Sequence, residues 1–166
     1  NPNLSVLKKV PYQFSLMCID RRHGKTLWER VVTEEIPHEG HHPTANYASY
    51  SPVTDGELLW VSFGSRGLYC FDLDGNLKWS TDLIPMSILY GFGEASSPAL
   101  AGDAIVVLMD HEGDSKISAY HKVTGDLLWE KARDEATSWS TPLAIQVGET
   151  LQVVTCATNF IRSYDA

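Results

Sequence analysis

Three of the six histidines of this 166-residue chain, His38, His41 and His42, fall within five positions. Glu34, Glu35 and Glu39 surround them in the segment EEIPHEGHHPTANYASYSP, residues 34–52. Imidazoles with carboxylates close by can bind Zn²⁺, Cu²⁺ or Ni²⁺. The spacing H-x-x-H-H lies in a loop and lacks the helix that brings both histidines of H-E-x-x-H to one face. A polar loop is therefore the preferred reading, with a metal site as the alternative. Asn46 and Tyr47 of the same segment join the three histidines as ligand-binding candidates.

Two other segments carry chemistry-bearing residues. In ILYGFGEASSP (88–98), Gly91 and Gly93 flank Phe92 and Glu94 follows. Neither G-x-G-x-x-G nor a Walker lysine is present, so this is not a phosphate loop. Trp139, in SWSTP (138–142), either stacks a planar ligand or fills space. In MDHEGDSK (109–116), Asp110, His111, Glu112 and Asp114 offer ligands for Ca²⁺, without the EF-hand pattern. A solvated turn is preferred there, and Asp110 and His111 are held with His38, His41 and His42 as metal candidates. Arg66 and Asn159 precede equivalent strand-like runs and complete the ligand candidates. No Ser-His-Asp or Cys-His arrangement can be argued from spacing, so catalytic residues stay unassigned.

The elements that must position these residues repeat. The segments CIDRRHGKTLW, CFDLDGNLKW and AYHKVTGDLLW end at Trp28, Trp79 and Trp129, each four residues after Gly24, Gly75 or Gly125. The tryptophans are 51 and 50 residues apart, a period that signals a repeat architecture. Ser51-Pro52, Ser97-Pro98 and Thr141-Pro142 open successive units, and runs such as LLWVSF and AIVVLM follow Gly-containing turns. Short Val/Ile/Leu/aromatic runs between Gly/Asp/Asn turns read as antiparallel hairpins. Four such strands per unit match one propeller blade. The predicted fold is all-β, a β-propeller seen as an open arc of about 3–3.5 blades. The expected division is a partial blade 1–33, a His-rich loop 34–47, a blade 48–83, a Gly/Phe loop 84–94, a blade 95–133 and a partial blade 134–166. A further strand in 4–10 is expected beside the first partial blade. The repeat tryptophans and glycines are read as structural: glycine allows a positive φ in the turn, and tryptophan buries area with one N–H to satisfy.

Net charge is −8, which argues against nucleic acid or an anionic membrane as partner. No apolar run is long enough to cross a membrane as a helix. No secretory signal is seen at Asn1, which looks like the start of a fragment. Cys18 and Cys70 share a repeat position with Ala119 and Ser163, so a tight buried slot is expected there rather than a disulfide or ligand.

The (A/C)-x-D…G-x-x-x-W segments with Ser/Thr-Pro openings resemble the tryptophan-docking motif of the bacterial PQQ-like β-propeller repeat proteins (PQQ is pyrroloquinoline quinone). The resemblance covers most of the chain. His23 and His121 depart from the motif, and the DLDG turn is one residue shorter. It implies a piece of a seven- or eight-bladed ring, or one completed by further copies, in a periplasmic or secreted protein. The family includes quinoprotein dehydrogenases, which bind PQQ and calcium on the axis, and non-catalytic scaffolds. The first expectation is a non-catalytic or unknown-ligand scaffold with the remaining blades, further copies or another protein as partners. The alternatives are a fragment of a PQQ- and calcium-dependent dehydrogenase, and a metal-binding propeller using His38, His41 and His42. The balance leans away from an enzyme.

Overall fold

A computed structural model describes residues 5–166. Its thirteen strands form four antiparallel sheets in chain order, a partial β-propeller. β1 (Tyr12–Ile19) and β2 (Thr26–Glu35) make the first sheet. β3 (Val53–Thr54), β4 (Leu58–Ser62), β5 (Leu68–Asp72) and β6 (Leu77–Thr81) make a complete blade. β7 (Ala99–Ala101), β8 (Ala104–Met109), β9 (Lys116–His121) and β10 (Leu127–Ala132) make the next. β11 (Leu143–Val147), β12 (Thr150–Cys156) and β13 (Ile161–Asp165) make the last sheet. The inner strands β3, β7 and β11 are neighbours, with β7 between the other two.

The expected strand in 4–10 takes another form. Residue 4 lies outside the described residues, and Val6 makes an isolated antiparallel bridge with His41. Val6 N–H donates to His41 O at 2.8 Å and His41 N–H to Val6 O at 3.0 Å, so this segment closes on the histidine loop.

Side chains alternate across each strand, and both faces are used because sheets stack face to face. On β8, Ile105, Val107 and Met109 pack toward the preceding blade with Trp60, Leu68 and Tyr120. Val106 and Leu108 point the other way, into a core with Ile117, Ala119 and Val153. On β4, Val61 joins Phe14, Phe63 and Phe71 against the first sheet.

The repeat segment has a shared local geometry. In each outer hairpin the register slips by one residue, at Leu27, Lys78 and Leu128, directly before the repeat tryptophan. Such a bulge sharpens the twist and re-aims the next side chain. Trp28 Nε1 then donates to Leu73 O at 3.0 Å, in the turn of the following blade, and Trp79 Nε1 to Lys122 O at 3.0 Å. The indoles lie on the turn glycines. A Cβ on Gly75 would stand 3.0 Å from Trp28, and one on Gly125 would stand 2.7 Å from Trp79. Glycine is therefore required twice over, for φ near +79° and for the approach of the ring. Trp129 instead stacks on Tyr164 of β13, with centroids 6.2 Å apart.

These three tryptophans are half-buried rather than fully enclosed. The fully buried tryptophan is Trp60 on β4, whose Nε1 also donates to Lys122 O, at 2.9 Å. The motif carboxylates hold the turns: Asp20 Oδ1 accepts from the amides of Arg22 and His23, and Asp72 Oδ1 from those of Asp74 and Asn76. At the departure His121, ring Nδ1 does the same for Thr124 N–H at 3.2 Å.

Candidate functional site

The segments leading into the inner strands meet on one rim. The Ser/Thr-Pro openings are coupled there: Ser51 N–H donates to Ser97 Oγ at 2.8 Å, and Ser97 N–H to Thr141 Oγ1 at 3.2 Å. Proline removes the next N–H and fixes φ, leaving the hydroxyl and amide before it to make the link. Ser96 Oγ adds a bond to Ser140 O at 2.7 Å.

Above this coupling lies an open groove of about 270 Å³, whose walls include His42, Phe92, Glu94 and Trp139. His42 meets Phe92 edge to face, with centroids 4.8 Å apart. Trp139 Nε1 donates to Gly93 O at 2.8 Å, which fixes the indole while leaving it 42% exposed. His42, Glu94 and Trp139, drawn from three separate segments of the sequence, thus share one site.

Glu94 forms the polar floor. Its Oε2 accepts from Tyr50 OH at 2.9 Å and from Ser65 N–H at 2.7 Å, and its Oε1 from Ser65 Oγ. Gly64 makes this possible, because a Cβ there would fall 1.7 Å from Glu94 Oε2. Burial, followed by the charge and hydrogen bond of Glu94, pushes the Tyr50 phenol well above its ordinary pKa. Arg66 Nη1 lies 3.6 Å from Glu94 Oε2 and donates to Phe63 O at 3.1 Å. Its guanidinium is packed over the rings of Phe14 and Tyr47, so Arg66 is a buried brace beneath the rim.

The histidines are not gathered together. His38 Nε2 faces Met86 O at 2.7 Å, His41 Nδ1 faces His42 O at 2.8 Å, and His42 Nδ1 faces Thr44 Oγ1 at 2.8 Å. Among the described residues no three His, Cys, Asp or Glu side chains converge as a metal cluster. Both oxygens of Glu39 accept from Ile88 N–H, at 2.9 and 3.2 Å. Burial raises the Glu39 pKa against the lowering effect of that amide.

Asp110 and His111 lie apart from the histidine loop. Asp110 is spent on Arg133, accepting from Nε at 2.7 Å and Nη2 at 3.0 Å with both side chains fully buried. Burial pulls the Arg133 pKa down, and the Asp110 hydrogen bonds and charge more than restore it. His111 Nδ1 accepts from the amides of Ser87 and Gly113. Asn159 is exposed, its N–H donating to Glu135 Oε2 at 2.8 Å, so it and Arg66 have different partners. Tyr47 and His41 pack edge to face at 4.7 Å beside Asn46, whose Oδ1 caps Ala48 N–H. With Tyr12 and Phe14 these residues border a second hollow of about 260 Å³.

The sequence reading missed Tyr50, Ser65 and Phe92 as site residues. Phe92 was visible between its two glycines. Tyr50 and Ser65 had no signal beyond their place next to strand openings.

Comparison with known proteins agrees on the fold. A family model described as outer membrane protein assembly factor BamB matches residues 13–165. Among solved structures, BamB from Moraxella catarrhalis aligns with a TM-score of 0.51 and 15% identity, over 91% of this chain and 40% of that one. Quinohemoprotein alcohol dehydrogenase ADHIIG from Pseudomonas putida HK5 aligns with a TM-score of 0.58 and 12% identity, over 91% and 27%. A europium-containing methanol dehydrogenase aligns with a TM-score of 0.50 and 11% identity, over 78% and 23%. The chain therefore spans well under half the length of each. No curated protein matches it in sequence. The match to residues 13–165 shows that this chain belongs to the PQQ-like repeat β-propeller family to which the BamB description is attached.

Proposed function

We propose that the chain is part of a non-catalytic propeller scaffold in an exported protein, and that its axial rim binds a partner. One observation carries this reading: Glu94, Glu39 and Asp110, the buried or half-buried carboxylates at or near the rim, are each engaged by donors of the protein itself. Glu94 is taken by Tyr50 and Ser65, Glu39 by Ile88, and Asp110 by Arg133. A calcium site needs several oxygens free to converge on the ion. PQQ carries three carboxylates and calls for cationic side chains. The groove walls present Glu94 as their charged group, and Arg66 is buried beneath it against Phe14 and Tyr47. The residues of this chain fit neither group, and no catalytic step is derived through them. The family description, an outer membrane assembly factor, supports a periplasmic setting.

The outward faces of the first and last sheets are the places for the remaining blades of a parent ring or for further copies of the chain. The inter-blade bonds of Trp28 and Trp79 support reading the motif as a docking element. Titration with PQQ and Ca²⁺, followed by absorbance and alcohol oxidation, tests the scaffold reading. No saturable binding and no turnover are expected. Stoichiometric binding with turnover would overturn it. Titration with Zn²⁺ tests the histidine loop in the same way, with no difference expected between the protein and a His41→Ala, His42→Ala double variant.

A further inference from the structure

Residues 83–93 cross the rim between β6 and β7, with a single 3₁₀ turn at Leu89–Gly91. Side chains from other segments pin this strap along its length. Ser65 Oγ accepts from Met86 N–H at 2.8 Å, His111 Nδ1 from Ser87 N–H at 3.3 Å, Glu39 from Ile88 N–H, and Thr137 Oγ1 from Leu89 N–H at 3.0 Å. Ser5 Oγ donates to Gly91 O at 2.6 Å. Between the last two pins Tyr90 is held at φ 58°, a region uncommon for a bulky side chain. It is 67% exposed, so burial does not offset the strain. A strained segment that its surroundings over-determine relaxes when a pin is drawn.

The pins answer acid differently. The hydroxyls of Ser5, Ser65 and Thr137 do not titrate. His38 Nε2 donates to Met86 O and keeps that proton whether its ring is neutral or charged. Burial raises the Glu39 pKa, so proton uptake relieves that site, and one oxygen can still accept from Ile88. His111 is the exception. Its Nδ1 faces two donors, Ser87 N–H and Gly113 N–H at 3.1 Å, and serves them only as the lone pair of a neutral ring. The ring proton then sits on Nε2, which is buried with no partner among the described residues. Protonation would set a third N–H against two others and bury a charge.

The strap itself has no charged residue between Leu83 and Gly93. In the segments around His111, Asp110 is locked to Arg133, Glu39 holds Ile88, and Glu135 is taken by Arg162 and Asn159 N–H. Glu112 and Asp114 are exposed on the loop of His111 itself. The Thr137 hydroxyl and amide hold the Glu112 carboxyl below its ordinary range, which keeps it ionised and able to draw an imidazolium. Glu112 turning to His111 lets go of Thr137, the pin of Leu89.

We propose that residues 83–93 are an acid-released strap: protonation of His111 frees Ser87 and then Leu89, and reshapes the groove wall made by Phe92. Met86 and Ile88, buried in the core between the two complete blades, keep the base of the strap docked. The device holds whatever the rim binds, so it stands or falls apart from the scaffold reading.

The test is amide exchange followed by NMR and corrected for intrinsic exchange rates, on the whole chain and on His111→Asn. The asparagine keeps an acceptor oxygen for Ser87 and takes up no proton. Between about pH 7.5 and 5, protection at Ser87, Gly113 and Leu89 should fall about tenfold, the loss of one backbone bond, and stay level in His111→Asn. Val106, in the middle of β8, reports global unfolding and should stay protected in both. Ring resonances of His111 in the unsubstituted protein give a second reading, with a titration midpoint that should coincide with the loss at Ser87. An equal fall in His111→Asn, a matching fall at Val106, separate midpoints, or unchanged protection at Ser87 would each overturn the proposal.

Discussion

The two complete blades and the two flanking sheets share one repeat but not one environment. All six residues of β8 are buried, while its counterpart β12 buries two of seven. β9 buries four of six, and its counterpart β13 buries none. The shared cysteine slot behaves likewise: Cys70 and Ala119 are fully buried, Cys18 is half-buried and Ser163 is exposed. Burial pushes the Cys70 thiol up to about 11. Local sequence therefore builds strands and turns in all four sheets, and a blade on each side builds the core. That is the behaviour of a quasi-one-dimensional stack, where stability is a sum of units and interfaces.

Substitutions can sharpen this contrast, beginning with the largest effect. Trp60→Ala should lower unfolding free energy by about 3–5 kcal/mol, as for other large-to-small core changes. Ile161→Ala, at a side chain 74% exposed on β13, should stay within about 0.5 kcal/mol. Urea denaturation measures both, and comparable losses would break the contrast.

Asp110→Ala leaves the buried Arg133 charge unpaired between the second blade and the last sheet. A loss of about 3–5 kcal/mol is expected, with Asp110→Asn intermediate. A Tm change no larger than that of an exposed pair such as Lys78–Asp72 would contradict the buried-pair account.

Gly125→Ala and Gly24→Ala share the strain of a positive φ, but only Gly125 faces an indole. Nothing lies within 4 Å of a Cβ at Gly24. Gly125→Ala should cost about 1–3 kcal/mol more than Gly24→Ala, the usual range for overpacking. Equal effects would mean that the ring contact contributes nothing.

The smallest effect is pH-dependent. The Lys78 and Asn76 hydrogen bonds hold the Asp72 carboxyl far below its ordinary range. A depressed folded-state pKa gives stability that is present above the unfolded value and lost as pH falls through the folded one. The turn after β5 should therefore loosen on acidification below the usual aspartate range, and Asp72→Asn should flatten that response. The turn after β9 uses His121 in place of an aspartate to accept from its amide, and its own carboxylate, Asp126, accepts from the Thr124 hydroxyl instead. Amide exchange at Asn76 and Thr124 separates the two turns, and parallel acid profiles would refute the difference.

Repeat-encoded features were the legible ones. Blade strands follow from alternating apolar runs between Gly and Asp turns, and the turns from Gly75 and Gly125. The bulges before Trp28, Trp79 and Trp129 were not legible, because a one-residue register slip leaves no mark on composition. At the rim, His42, Glu94 and Trp139 stood out by type, yet their meeting depends on how three loops cross the inner strands. Arg66 and Asp110 carried no sign that each would be spent inside the fold, since pairing partners 23 to 28 residues away are set by how strands and loops come together in space rather than by local sequence. Val6 closing on His41 has the same cause.

The bonds made at the repeated positions run one way. Trp28 gives to Leu73, Ser51 to Ser97, Trp79 to Lys122 and Ser97 to Thr141, so at these positions the earlier unit donates and the later one accepts. Each blade thus carries a plug on one face and a socket on the other. Such a joint lets a duplicated unit slot in behind its parent without inventing a new contact, while a reversed or mirrored unit would set donor against donor. Growth by tandem copying, in one direction around the axis, is written into the joint itself.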